Sequence, residues 1–306
     1  MRRLLLWMAR NEWLRTNLPR FWFARRAVRR FMPGEKPEQA LEAAQKFKAL
    51  GTGILFTRLG ENLKRIEDAD ATAEDYFRLM ADAHERGIDA EASVKLTQLG
   101  FDIDVERTLE HCQRLAGQAA AQGKILWLDM EASDYTESTI AFYERLKKTH
   151  PNSGICLQAY LKRTYTDIER LLPIGLRVRL VKGAYAEPDD VAYGSRKEVD
   201  ANYLALVASM LAAKKAGTDV FIGLGTHDVE LVRMVADHAQ SLGLSKADFD
   251  VEMLYGIRAD QQRKLAADGY KVRVLIAYGD YWYPWYMRRL AERPANVVFA
   301  LRQLLP

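Results

Sequence analysis

The stretch Arg177-Val-Arg-Leu-Val-Lys-Gly-Ala-Tyr185 is a five-residue run with β-branched members that stops at a lysine and a glycine. As a strand it sends Arg177 and Arg179 to one face and Val178 and Leu180 to the other. Working outward, the same grammar recurs. Short apolar runs at 53–57, 92–97, 125–130, 154–160, 177–181, 220–225, 249–254 and 272–277 are separated by helix-length segments such as 104–122, 137–149, 197–216, 229–242 and 259–267. Strands alternating with helices imply parallel pairing through crossovers. Eight such units predict a closed α/β barrel of the TIM type. A doubly wound dinucleotide fold would need G-x-G-x-x-G after its first strand, and the chain offers only Gly223-Leu-Gly225 followed by Thr-His-Asp.

Composition agrees with a large enzyme-sized domain. The chain has 306 residues, 49% hydrophobic and 28% charged, which excludes collagen, coiled coil and disordered polymer and suffices for a core without staples. Two cysteines, Cys112 and Cys156, stand without zinc-ligand spacing, so no metal is expected and a reducing, cytoplasmic setting is the simplest reading. No run of 18 apolar residues appears, and Arg10, Glu12 and Arg15 interrupt any signal-peptide core.

The net charge of +4 is unevenly placed. Residues 1–30 hold nine arginines against Glu12 alone, so the body is mildly acidic. In this arm, Trp7, Trp13, Phe21, Trp22 and Phe23 interleave with the arginines, a composition suited to a lipid headgroup layer rather than to nucleic acid. The alternative is an arm that packs its aromatics on the body. Residues 1–34 are therefore expected to be a basic helical arm, ended by Pro33-Gly34, and 35–306 a single barrel domain. Peripheral contact with the inner face of the plasma membrane is the matching expectation.

In such a barrel the active site lies at the carboxyl ends of the strands. Polar residues close several runs there: Lys95, Asp129 and Glu131, Gln158, Arg179 and Lys182, and His227. Alternation puts Asp129 and Glu131 on one face. After the eighth strand, a helix opened by Pro284 carries Arg288 and Arg289, with Glu292 four and three residues on, placed to steady a guanidinium. Two adjacent arginines amid Tyr and Trp suit a substrate carboxylate beside a small apolar ring.

These segments together resemble the proline dehydrogenases, of the short monofunctional bacterial type. The likeness runs through Leu59-Gly-Glu61, Val94-Lys-Leu-Thr-Gln-Leu-Gly100, Leu128-Asp-Met-Glu131, Arg179-Leu-Val-Lys-Gly-Ala-Tyr185, Thr226-His227-Asp228, Leu254-Tyr-Gly-Ile-Arg258 and Arg288-Arg289-x-x-Glu292-Arg-Pro294. It implies a distorted (β/α)8 barrel that binds FAD and oxidises L-proline to Δ1-pyrroline-5-carboxylate, the first step of proline catabolism, with electrons passing to membrane quinone. It implies that Arg288, Arg289 and Lys95 hold the carboxylate and that Asp129 belongs to the catalytic constellation. Arg179 would reach the reactive edge of the flavin, and Met130, Gln158, Lys182, Gly183, Ala184, Thr226 and His227 would line it. Tyr185 and Glu292 would support the clamp.

Two departures stand out. Thr57-Arg58 replaces an aspartate common before Leu-Gly-Glu, and Leu275 stands where a tyrosine is expected over the substrate, with Tyr278 three residues later offered as its substitute. Competing readings are a Schiff-base aldolase using Lys182, a divalent-metal lyase using Asp129, Glu131 and His227, and a membrane adaptor led by the arm.

Overall fold

In a computed structural model describing residues 2–60 and 63–292, eight parallel strands close a barrel in sequence order, β1 pairing with β8. The strands are β1 (Gly53–Arg58), β2 (Ala90–Val94), β3 (Leu126–Leu128), β4 (Ser153–Gln158), β5 (Arg177–Val181), β6 (Phe221–Gly225), β7 (Asp250–Leu254) and β8 (Lys271–Tyr278). Three helices open the chain: α1 (Arg2–Arg10), α2 (Glu12–Asn17) and α3 (Trp22–Val28). The rest are α4 (Pro37–Lys48), α5 (Ile66–Glu85), α6 (Val105–Ala121), α7 (Thr136–Thr149), α8 (Thr164–Leu171), α9 (Arg196–Lys215), α10 (Val229–Ser241), α11 (Ala259–Ala267) and α12 (Trp282–Glu292).

The helices pack because their apolar residues recur at helical spacing. In α9, Tyr203, Leu206, Val207, Met210 and Leu211 form one buried stripe. Each large side chain so buried contributes roughly 1.5–3 kcal/mol. Ser195 caps this helix, accepting from the Glu198 N–H while the Glu198 carboxylate accepts from the Ser195 N–H.

Three strands, β4 among them at Gln158, end earlier than the sequence predicts. β2 ends at Val94 and β3 at Leu128, so Lys95 and Asp129 sit just past the last paired residue. The Asp129 N–H still donates to the Val94 carbonyl at 2.8 Å, which holds the aspartate in the strand's direction. Two residues on, alternation has lapsed: Glu131 binds the Thr97 hydroxyl and N–H at 2.8 and 3.3 Å, away from Asp129. The expectation that the two carboxylates share a face fails because the strand stops first.

Two helices cover the barrel from different sides. α4 packs on β1 and β8, outside the barrel. α12 follows β8 and lies across the mouth, its Trp285, Arg288, Arg289 and Ala291 facing the cavity there.

The arm is packed, but not through its tryptophans. Leu5, Ala9, Ala27, Val28, Phe31 and Met32 share a second apolar cluster with Trp282, Tyr286, Met287 and Leu290 of α12. Trp7, Trp13 and Trp22 are 58%, 67% and 72% exposed, with Leu4 and Phe21 also outside. Where the arm returns to the barrel, Arg30 crosses Gly256 so closely that a Cβ there would lie 1.6 Å from the Arg30 carbonyl oxygen. Gly256 also has φ +73°, so both space and backbone demand glycine. No helix among the described residues is long and apolar enough to cross a membrane.

Candidate active site

Inward-facing residues build the barrel interior in layers. At the bottom, Arg273 pairs with Asp250 at 3.0 Å, Asp89 at 3.4 Å and Glu91 at 3.6 Å. The Trp127 indole N–H donates to Glu91 at 2.7 Å. One layer up, Arg179 is 3% exposed and donates to Asp129, to the Ser93 hydroxyl at 2.7 Å and to Glu252 at 3.4 Å, with its guanidinium 5.4 Å from the Trp127 ring centre. The Ser93 hydroxyl donates to Asp129 at 2.7 Å, closing a triangle. Every charged member of this floor has a partner, as buried charge requires.

Above the floor lies a cavity of about 540 Å³, more room than one small amino acid fills. Lys95, Asp129, Met130, Gln158, Arg179, Lys182, Gly183, Ala184, Tyr185, Thr226, His227, Arg288 and Arg289 all line it. The structure thus brings thirteen sequence-predicted residues from six elements and their loops to one chamber. Lys95 is 7% exposed, and no acceptor among the described residues bonds its ammonium. Arg288 lies over the Tyr185 ring at 5.3 Å and Arg289 over Trp285 at 5.9 Å, which orients both guanidiniums across the mouth.

The rim is organised by a second ionic network. The Lys182 ammonium donates to Asp200 and, at 3.2 Å, to Asp228, and Arg196 bridges the same two carboxylates at 3.3 and 2.8 Å. Asp228 N–H donates to the Thr226 hydroxyl at 3.1 Å, fixing the turn that presents His227. The His227 carbonyl accepts from Arg258 at 3.0 Å.

Two predicted residues fall elsewhere. Tyr278 is fully buried but does not line the cavity; its hydroxyl lies toward Tyr76 of α5 and Arg58. The reason is parity: Leu275 faces the cavity, and a residue three positions along a strand faces the opposite way. Tyr278 therefore does not replace the hydroxyl absent at Leu275. The side chain of Glu292, and everything from residue 293 on, lies outside the described residues.

The sequence reading gave no individual role to Ser93, Glu252, Trp285, Asp200 or Asp228. Ser93 could have been found, since it precedes Lys95 by two residues and shares its face. Glu252 shares a face with Asp250 in β7, but nothing in the strand's sequence says which face is inward. Burial, aided by Glu91 and Asp250 and opposed by Arg179 and Arg273, pushes the Glu252 carboxyl up to about 7. Burial likewise raises the Cys156 thiol, a neutral member of the same cavity.

Comparison with known proteins gives a single answer. The family model described as proline dehydrogenase matches residues 40–302. Proline dehydrogenase 1 of Bacillus subtilis (strain 168) is 30% identical over 309 residues, covering all of this chain and 99% of its own. Proline dehydrogenase of Deinococcus radiodurans is 35% identical over 281 residues, 90% of this chain and 89% of its own. Among solved structures, proline utilization A from Bdellovibrio bacteriovorus, inactivated by N-propargylglycine, superposes with a TM-score of 0.79 at 21% identity over 95% of this chain. That of Bradyrhizobium japonicum carrying D778Y gives 0.74 at 23% identity over 92%. This chain spans 38% and 32% of those two longer chains, and the likeness to them is one of fold. With a family match over most of the chain and relatives matched along nearly their whole length, the chain belongs to the proline dehydrogenase family and is an oxidoreductase that acts on proline.

Proposed function

We propose that this enzyme oxidises L-proline to Δ1-pyrroline-5-carboxylate with bound FAD, opening proline catabolism, and hands the electrons to membrane quinone. The observation that carries the reading is Lys95: a residue only 7% exposed that lines the chamber it shares with Arg288 and Arg289, its ammonium without a protein acceptor among the described residues. An ammonium left so is costly unless an anion completes it. The three cations suit the proline carboxylate, and the Tyr185 and Trp285 rings suit the pyrrolidine.

The residues also fit FAD. Gln158 is 3% exposed; its amide N–H donates to the Glu131 carbonyl at 3.1 Å, while its Oε1 is buried in the cavity wall without a donor among the described residues. That acceptor suits an imide N–H such as a flavin carries. Met130, Lys182, Gly183, Ala184, Thr226 and His227 would complete the cofactor's bed, and FAD would supply the hydride acceptor. The protein's part is positioning. The clamp fixes the ring so that its amine-bearing carbon meets the acceptor, and a site already rich in cations favours the neutral amine that can release hydride. Arg179, anchored by Asp129 and Ser93, places fixed positive charge where negative charge develops.

The aldolase reading loses support at Lys182, whose ammonium is bound by two carboxylates rather than left in the uncompensated pocket that activates a lysine nucleophile. Delivery to quinone accounts for the arm, whose outward Trp7, Trp13 and Trp22 would rest in the headgroup layer. One spectrum tests the core of the proposal. Purified protein is expected to be yellow, with a flavin band that bleaches anaerobically on addition of L-proline. A colourless protein that cannot be reconstituted with FAD, or a band indifferent to proline, would overturn it.

A further inference from the structure

Two of the three inward positions of β6, 223 and 225, are glycine; the third is Phe221, whose ring lies 5.7 Å from that of Trp127. A Cβ at position 223 would stand 2.4 Å from Glu252 Oε1, so the missing side chain opens the slot in which that carboxyl lies. Glu252 is 4% exposed and lines the cavity floor. Its Oε2 takes a long 3.4 Å contact from Arg179, and its Oε1 has no donor among the described residues. Asp129, on the other side of the same guanidinium, takes the close contact and the Ser93 hydroxyl as well. The two carboxylates are thus unequal: one is held as an anion should be, the other as only a neutral acid can be held cheaply.

We propose that Glu252 is a positioning residue that works through Arg179, taking up a proton from solvent as negative charge builds on the cavity side of that guanidinium and returning it when the charge departs. The inference rests on the flavin reading above and deepens it. With both carboxylates ionised, Arg179 answers two negative charges and has little field left for the cavity. Protonating Glu252 leaves one, and the guanidinium then faces its cavity neighbour as a full cation. The balance is simple. Hydride accepted by a neutral oxidant leaves one negative charge beside Arg179, and one proton from water neutralises Glu252 below it.

The surroundings set the titration in a useful range. Glu252 is faced by Arg179 from β5, Arg273 from β8, Glu91 from β2, Asp250 from its own strand, Asp129 beyond the guanidinium and Tyr203 from α9. Burial and the two floor acids outweigh the two arginines and bring the group close to neutrality. Further negative charge nearby favours the protonated form, so reduction raises the midpoint and draws in the proton at and above neutral pH.

The test is the flavin midpoint potential of the holoenzyme, measured by anaerobic titration across pH at and above neutrality. Hydride uptake alone brings one proton per two electrons. A second proton changes the equilibrium a further tenfold per pH unit, about 30 mV for a two-electron couple. The wild type is expected to fall by about 60 mV per pH unit and Glu252→Gln, which keeps shape but cannot ionise, by about 30 mV. A wild-type slope of about 30 mV overturns the proposal without need of any variant, and equal steep slopes in both proteins overturn it by placing the proton elsewhere. A yellow, proline-reducible protein with the shallow slope refutes this role alone; a colourless one removes the flavin reading on which it stands.

Discussion

Lys95 shows how a single residue can be expensive to the fold and necessary to the site. A lysine this enclosed, its ammonium without a protein acceptor among the described residues, destabilises the empty protein, and a flexible apolar side chain of similar length would sit there at lower cost. Lys95→Met is therefore expected to raise unfolding stability by about 1–2 kcal/mol in urea titrations while raising KM for proline by roughly ten- to a hundredfold. Loss of stability together with an unchanged KM would show that the ammonium faces something other than substrate. Such residues were legible in the sequence because a lysine or aspartate ending an apolar run has no structural reason to be there. Glu252 was not legible, since an acid inside a run that also begins with an acid carries no mark of which face is inward.

At the scale of elements, the number and order of the strands could be read directly, and β5 and α11 fell on their predicted bounds. Periodicity is a property of the whole run and survives uncertainty at its ends. The ends themselves depend on pairing partners that no local sequence reveals, which is why β2 and β3 stop early and Glu131 turns away. Parity within β8 was readable and yields a sharp expectation. Because Tyr278 faces α5 rather than the chamber, Tyr278→Phe is expected to leave kcat and KM within about twofold, its buried hydroxyl having no bond to lose among the described residues. A KM rise of tenfold in steady-state assays would place that hydroxyl at the substrate after all.

For the whole molecule, composition foretold a basic aromatic arm but could not say which of its faces would be covered. Aliphatic side chains face α12 and tryptophans face outward. Deleting residues 1–30 would therefore strip α12 of its packing as well as remove the tryptophans, and could not separate the two roles. The replacement of Trp7, Trp13 and Trp22 by Ser is expected to lower sedimentation with anionic liposomes several-fold while turnover with a soluble dye stays unchanged. Leu5→Ser, by contrast, is expected to raise KM for proline with little change in liposome binding, because it loosens the helix bearing Arg288 and Arg289. Equal pelleting of the tryptophan variant would remove the arm's role at lipid.

The shared seam between α1 and α12 has a thermodynamic corollary. If the outer side of the arm settles on a bilayer, the adhesion acts on the same short stack of helices that grips the amino acid, so any shift of that stack favoured by one ligand is felt by the other. Proline should then tighten the hold on vesicles by the same factor that vesicles tighten the hold on proline, and catabolic flux would rise where the electron sink is found.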